Sequence, residues 1–161
     1  MENTLSNILI AKSLTISVAE SCTGGLIGHM ITSIPGSSAY FMGGIISYSN
    51  QAKLDLLGVS PETLKQFGAV SDRTAREMAD GVKDRFKADI GLSVTGIAGP
   101  DGGTIEKPVG TVFMGIAFDE ASFSLKYLFK GTRSEIKHQT AETAMENIRR
   151  HLIGDSFIPG I

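Results

Sequence analysis

Ser21 has the strongest claim to chemistry in this chain. It follows the apolar run Ile16-Ser17-Val18-Ala19-Glu20 and precedes Cys22-Thr23-Gly24-Gly25, so a strand ends in hydroxyl, thiol and glycine groups just before a helical pattern begins. Glycine lets a substrate approach the backbone closely. Backbone N–H groups at a helix start are unpaired and partly positive, suited to an anion or to the oxyanion of acyl transfer. A nucleophilic serine here competes with an ordinary helix N-cap, a position serine also favours. Cys22 is the neighbouring alternative; strand alternation turns it inward, where a lone cysteine packs rather than reacts.

A serine hydroxyl needs a base, and the three histidines are poorly placed for it. His29 lies inside the helix after Ser21, and His138 and His151 fall on a terminal helix expected to face solvent. Lysine can do the same work when burial lowers its pKa. Lys53 is the candidate, in Tyr48-Ser49-Asn50-Gln51-Ala52-Lys53, where a strand end passes into a helix start and Tyr48 and Lys53 could both face the end of the sheet that carries Ser21. The competing reading is a solvated lysine beside a rim tyrosine.

Gly96-Ile97-Ala98-Gly99-Pro100-Asp101-Gly102-Gly103 is too rich in glycine for regular structure and supplies backbone donors for a phosphate or an oxyanion, with Thr95 and Asp101 adding polar groups. It lacks the Gly-Lys-Ser/Thr ending of a Walker loop and is not Gly-x-Gly-x-x-Gly, and a structural Ω-type loop is the alternative. Gly131-Thr132-Arg133 precedes the last helix; Arg133 could clamp a phosphate or carboxylate, or be a surface charge.

These residues must be positioned by alternating elements. A short N-terminal helix covering Leu5, Ile8, Leu9 and Ile10 leads to a strand over Leu14 to Ala19, then a helix on Leu26, Ile27, Met30, Ile31 and Ile34 that Pro35-Gly36 stops. A second strand spans Gly43 to Ser49. A helix from Asn50 to Leu57 closes at Gly58, and another opens at Ser60-Pro61 and ends at Gly68. Ser71 caps a helix with Ala75, Met78, Ala79, Val82 and Phe86 on one face, followed by a strand from Asp89 to Thr95. Val109 to Phe118 and Ser122 to Phe129 read as a hairpin about Asp119-Glu120, and a last helix runs from Ser134 to Leu152 with Ile136, Ala141, Ala144, Met145 and Ile148 inward. The order predicts an α/β fold, a three-layer α/β/α sandwich with a mixed sheet of about five strands.

Composition narrows the function classes. At 161 residues and 42% hydrophobic the chain fits one domain with a proper core. A net charge of −2 with scattered basic residues argues against nucleic acid as a partner. One cysteine excludes an internal disulfide and leaves too few thiols for a zinc site, so no metal and no cofactor is implied. Met1 to Ser13 lacks a basic stretch followed by a long apolar one, and no run reaches the ~20 apolar residues of a membrane span. A cytoplasmic protein acting on a small molecule, with no membrane partner, is expected.

Six ordered segments carry a resemblance: Ala19 to Gly25, Gly36-Ser37-Ser38, Tyr48-Ser49-Asn50 with Ala52-Lys53, Gly68-Ala69-Val70-Ser71, Gly96 to Gly103, and Lys107-Pro108-Val109-Gly110-Thr111-Val112. Together they closely resemble the C-terminal domain of the competence/damage-inducible CinA proteins, a domain that also occurs alone as bacterial nicotinamide mononucleotide deamidase. Larger members carry a further domain similar to molybdopterin-binding proteins, and this sequence reads as the stand-alone form. The resemblance implies hydrolysis of the carboxamide of nicotinamide mononucleotide to nicotinate mononucleotide and ammonia in pyridine nucleotide salvage, and a tendency to form a homodimer. It implies Ser21 as nucleophile, Lys53 as general base and Tyr48 as a group that orients or relays the proton. It places substrate on Thr23, Gly24, Gly25 and Asn50, on Thr95, Gly96, Gly99, Asp101, Gly102 and Gly103 of the glycine loop, and on Arg133. The alternative is a non-catalytic nucleotide-binding or regulatory module of the same family. A DNA-uptake role, which the family name suggests, is disfavoured by the acidic balance.

Overall fold

The structure, a computed structural model, describes residues 4–119 and 121–161. Its helices are α1 (Leu5–Lys12), α2 (Leu26–Thr32), α3 (Asn50–Leu57), α4 (Pro61–Phe67), α5 (Asp72–Phe86) and α6 (Arg133–Leu152). Its strands are β1 (Ile16–Glu20), β2 (Phe41–Ile46), β3 (Ile90–Gly96), β4 (Thr111–Ala117) and β5 (Ser122–Leu128). The sheet order is β2-β1-β3-β4-β5. β1 runs parallel to β2 and β3, while β3, β4 and β5 are successively antiparallel. With α5 across one face, backed by α3 and α4, and α1, α2 and α6 on the other, this is the expected α/β/α sandwich with a mixed sheet.

The two faces of the sheet differ in side-chain size, and that difference sets how closely each helical layer sits. Toward α1, α2 and α6 the strands turn large aliphatic groups, among them Ile16, Val18, Ile90, Leu92, Val94, Met114 and Ile116, all buried. Toward α5 they turn Ser17, Ala19, Gly91, Ser93 and Gly115. A Cβ added at Gly91 would strike the Ala79 carbonyl, and one at Gly115 the Ala75 carbonyl, so the backbone of α5 lies against the bare strand backbone. Buried serines complete the seam: Ser17 donates to the Val82 carbonyl at 3.1 Å and Ser93 to that of Ala75. Gly81 allows the same closeness on the outer side of α5, where its missing Cβ leaves room for the main chain of Leu57 in α3.

Caps fix most boundaries where the sequence put them. Ser49 accepts from Ala52 N–H and Gly58 closes α3 in the left-handed region, while Ser60, Pro61 and Gly68 frame α4, and Ser71 caps α5. Some expectations shift. β1 starts at Ile16 rather than Leu14 and includes Glu20; β2 starts at Phe41 and ends at Ile46, because Ser47 to Ser49 already form the approach to α3. α1 spans Leu5, Ile8, Leu9 and Ile10 as expected, burying Ile8 and Leu9 and leaving Ile10 exposed, whereas Ile34, expected within the second helix, lies past the end of α2, which stops at Thr32. Arg133 begins α6 instead of preceding it, the N-cap being Thr132. Of the turn expected at Asp119-Glu120, Glu120 lies outside the described residues, as do Met1 to Asn3.

The connections decide where a ligand can enter. β1 leads through α2 to β2 on one face, and β2 returns through α3, α4 and α5 to β3 on the other. The chain therefore diverges at the C-terminal ends of neighbouring β1 and β3, the topological switch point at which open α/β sheets leave a crevice.

Candidate active site

A cleft of about 270 Å³ lies at that switch point, formed by the segments that follow β1, β2 and β3, by Ala69-Val70 before α5 and by Arg133 of α6. Ser21 follows β1 directly, its N–H held by the Val94 carbonyl of β3 at 3.1 Å. Alternation along β1 puts Ser21 on the α5 side with Ser17 and Ala19, the side on which α3 lies. Lys53, in the first turn of α3, reaches inward to meet it.

Lys53 is only 1% exposed, and its Nζ has three oxygen neighbours: Ser21 Oγ at 2.9 Å, the Ser47 carbonyl at 2.7 Å and the Tyr48 carbonyl at 3.4 Å. None of them is a carboxylate. Burial without a compensating anion disfavours the ammonium form and pushes the Lys53 pKa down to about 8. A neutral amine has two N–H bonds and one lone pair, which fits donation to the two carbonyls with the lone pair left for the Ser21 hydroxyl. Burial acts the other way on Cys22, pushing its thiol up to about 12, so this side chain stays a thiol at neutral pH although it borders the cleft.

Glu20 holds the turn that carries Ser21. Its carboxylate is 2% exposed and accepts from the Thr23 hydroxyl at 2.6 Å, from Ile27 N–H at 2.8 Å and from Gly28 N–H at 3.0 Å. This corrects one expectation: of the first N–H groups of α2, that of Leu26 is taken by the Thr23 carbonyl and those of Ile27 and Gly28 by Glu20, so they are not open to an oxyanion. Gly25, not Ser21, occupies the cap position of α2. The N–H group of Cys22 makes no hydrogen bond to another described residue, and Cys22 borders the cleft beside Ser21.

Of the residues singled out in the sequence, Ser21, Tyr48, Lys53, Thr95, Gly96, Gly99, Asp101, Gly102 and Arg133 line this cleft. Thr23, Gly24, Gly25, Asn50 and Gly103 do not. The Thr23 hydroxyl is spent on Glu20, Asn50 is an exposed first residue of α3, and Gly103 packs against Val109. Thr95 is buried and donates to the Ala69 carbonyl at 2.8 Å, tying the loop before α5 to the end of β3. Tyr48 meets Lys53 through its main-chain carbonyl; its phenol is exposed and accepts from Arg133 Nη2 at 3.1 Å. Arg133 also donates from Nη1 to the Gly99 carbonyl at 2.7 Å, so its guanidinium ties the glycine loop to the β2–α3 connection. His138 is exposed as expected. His151 is not: it is half-buried and stacked on Phe118 and Phe157.

Sequence reasoning missed Glu20 as a turn-holding group and Ala69-Val70 as cleft wall. The hydroxyl at Thr23, three residues on in a glycine-rich turn, was the available signal for Glu20.

Among the described residues no group of three or more His, Cys, Asp and Glu could hold a metal ion, and no helix is long and apolar enough to cross a membrane.

A family model for the CinA C-terminal domain matches residues 1–152. The chain belongs to that family. It is 54% identical, over 149 residues, to a provisionally named competence-damage inducible protein of Halothermothrix orenii, covering 92% of this chain and 36% of that protein. The chain thus spans little more than a third of the curated relatives it matches. Among solved structures, a competence-damaged protein (CinA) superfamily protein from Klebsiella pneumoniae matches with a TM-score of 0.90 at 31% identity, over 93% of this chain and 94% of that one. A competence/damage inducible protein from Agrobacterium tumefaciens matches with a TM-score of 0.85 at 43% identity, over 93% and 92%.

Proposed function

We propose that this CinA domain is a serine amidohydrolase that converts nicotinamide mononucleotide to nicotinate mononucleotide and ammonia. The observation that carries this reading is the contact between Ser21 Oγ and the buried, uncompensated Nζ of Lys53 at 2.9 Å. Lys53 takes the Ser21 proton as Oγ attacks the carboxamide carbon. The N–H group of Cys22, the neighbour of Ser21 in the cleft wall, is the donor offered to the developing oxyanion, a contribution of roughly 2.7–4 kcal/mol for a good donor. The tetrahedral intermediate collapses with the C–N bond breaking, and the Lys53 proton leaves on ammonia. Water then gives its proton to Lys53 as its oxygen adds to the acyl carbon, and Ser21 departs with that proton restored. Thr95, Tyr48 and Asp101 border the nicotinamide ring and ribose, and no metal or cofactor enters the scheme. The family reading also carries the expected homodimer, which sedimentation would test.

The test is ammonia release from nicotinamide mononucleotide. Wild type is expected to turn over and Ser21→Ala to lose activity by a factor of at least about 10³, as removal of a nucleophile does elsewhere. Full activity in Ser21→Ala would remove Ser21 from the mechanism.

A further inference from the structure

Arg133 is not free to act alone as the anion clamp. Of its five N–H donors, one is committed to the Gly99 carbonyl and one to the Tyr48 phenol, through different terminal nitrogens, so the parallel fork that would grip a phosphate is already divided between two partners. A second cation beside it would complete a grip on a phosphate that the remaining donors of Arg133 only begin.

One lies beside it. A second depression of about 340 Å³ is lined by Leu26, Arg133, Ser134, Lys137 and His138, and Arg133 belongs to both walls. Lys137 follows Arg133 by one helical turn. Its Nζ lies 3.9 Å from where a Cβ on Gly24 would stand, and its charge is felt at the Cys22 thiol, so the ammonium hangs over the turn that carries Ser21. Among the described residues it has no ion-pair partner; the one carboxylate of that turn, Glu20, is buried in its own three hydrogen bonds. Arg133, Lys137 and His138 also crowd basic groups into the opening turns of a 20-residue helix, where like charges four apart and the positive end of the helix both oppose them. A bound anion relieves both costs.

We infer that Lys137, seated in this side depression beside Arg133, binds the phosphate of a mononucleotide whose amide lies at Ser21, and so sets a preference for the phosphorylated substrate over the free nucleoside. This rests on the amidase reading for the identity of the reacting amide but not for the anion site. A phosphate monoester is close to dianionic at neutral pH and matches one ammonium plus the remaining donors of one guanidinium.

Calorimetric titration with nicotinamide mononucleotide, and with the same nucleoside lacking phosphate, of the otherwise wild-type chain, Lys137→Met and Lys137→Arg, each carrying Ser21→Ala so that the ligand is not consumed, tests this directly. Lys137→Met is expected to weaken the mononucleotide by about ten- to a hundredfold, as loss of one charge-assisted contact does, and to leave the nucleoside unchanged, with Lys137→Arg recovering most of the loss. Equal affinity of wild type and Lys137→Met for the mononucleotide overturns the inference, as does an equal loss for both ligands. Steady-state assays should place the effect in KM and leave kcat within about twofold. If wild type releases no ammonia, the amidase reading fails while the titrations still decide the anion site.

Discussion

The pairing of Ser21 with Lys53 makes two quantities pH-dependent in the same direction. Below about pH 8 Lys53 is protonated and cannot accept the serine proton, so turnover should rise about tenfold per pH unit and level above that value. Lys53→Met should lose most activity; a variant that keeps the same pH-dependent rise would assign the base elsewhere. Stability follows the same titration. The folded-state pKa lies below the unfolded value of ~10.4, so from about pH 8 upward the unfolded chain holds a proton that the folded chain does not. Wild type should gain stability with pH across that window and carry the full penalty below it. Urea midpoints of wild type and Lys53→Met at pH 7 and 10 check the sign: the wild-type midpoint should climb relative to the variant. Cys22→Ala should keep its turnover, because a thiol held near 12 is not the attacking group. Glu20→Gln keeps the shape but weakens three hydrogen bonds to a buried carboxylate, expected to cost about 1–3 kcal/mol and to lower kcat more than it raises KM as the Ser21 turn loosens.

At the level of elements, α6 carries both cations from a single capped start. Thr132 accepts from Glu135 N–H at 3.2 Å while the Glu135 carboxylate accepts from Thr132 N–H at 2.7 Å, a complete capping box. Thr132→Ala should lower stability by about 1 kcal/mol in thermal or urea unfolding and raise KM, since Arg133 is the next residue. The spacing Thr132 to Glu135 was the available signal for this box, which a helix start read at Ser134 passed over, whereas α3 and α4 were legible to the residue because their caps are local in sequence. The strands were legible through their apolar runs, but their ends were not: whether Glu20 or Ser47 continues a ladder depends on partners in β2 and β3, not on its own type. The same holds in the site. Ser21, Lys53 and the glycine loop announced themselves by residue type. The tie of Arg133 to Gly99 and Tyr48 joins positions 34 and 85 residues apart, and the stacking of His151 on Phe118 and Phe157 needs the hairpin and the C-terminal tail folded around it.

Across the whole molecule, the site depends on a sheet whose two faces are packed to different depths. Large side chains cushion α1, α2 and α6, and a substitution there leaves a cavity that neighbours can partly fill. The α5 face has no cushion. Gly115→Val should destabilise by at least about 1–3 kcal/mol, because the added atoms meet the Ala75 carbonyl and Ser93 rather than a mobile side chain, and a thermal melt would register the loss. Gly81 extends that rigidity outward to α3, against the main chain of Leu57 one turn beyond Lys53. A methyl group at position 81 would act as a shim: by prising α3 off its bed it would draw the amine back from the alcohol. Gly81→Ala should therefore be felt as lost turnover, from a helix that contributes no atom to the reaction.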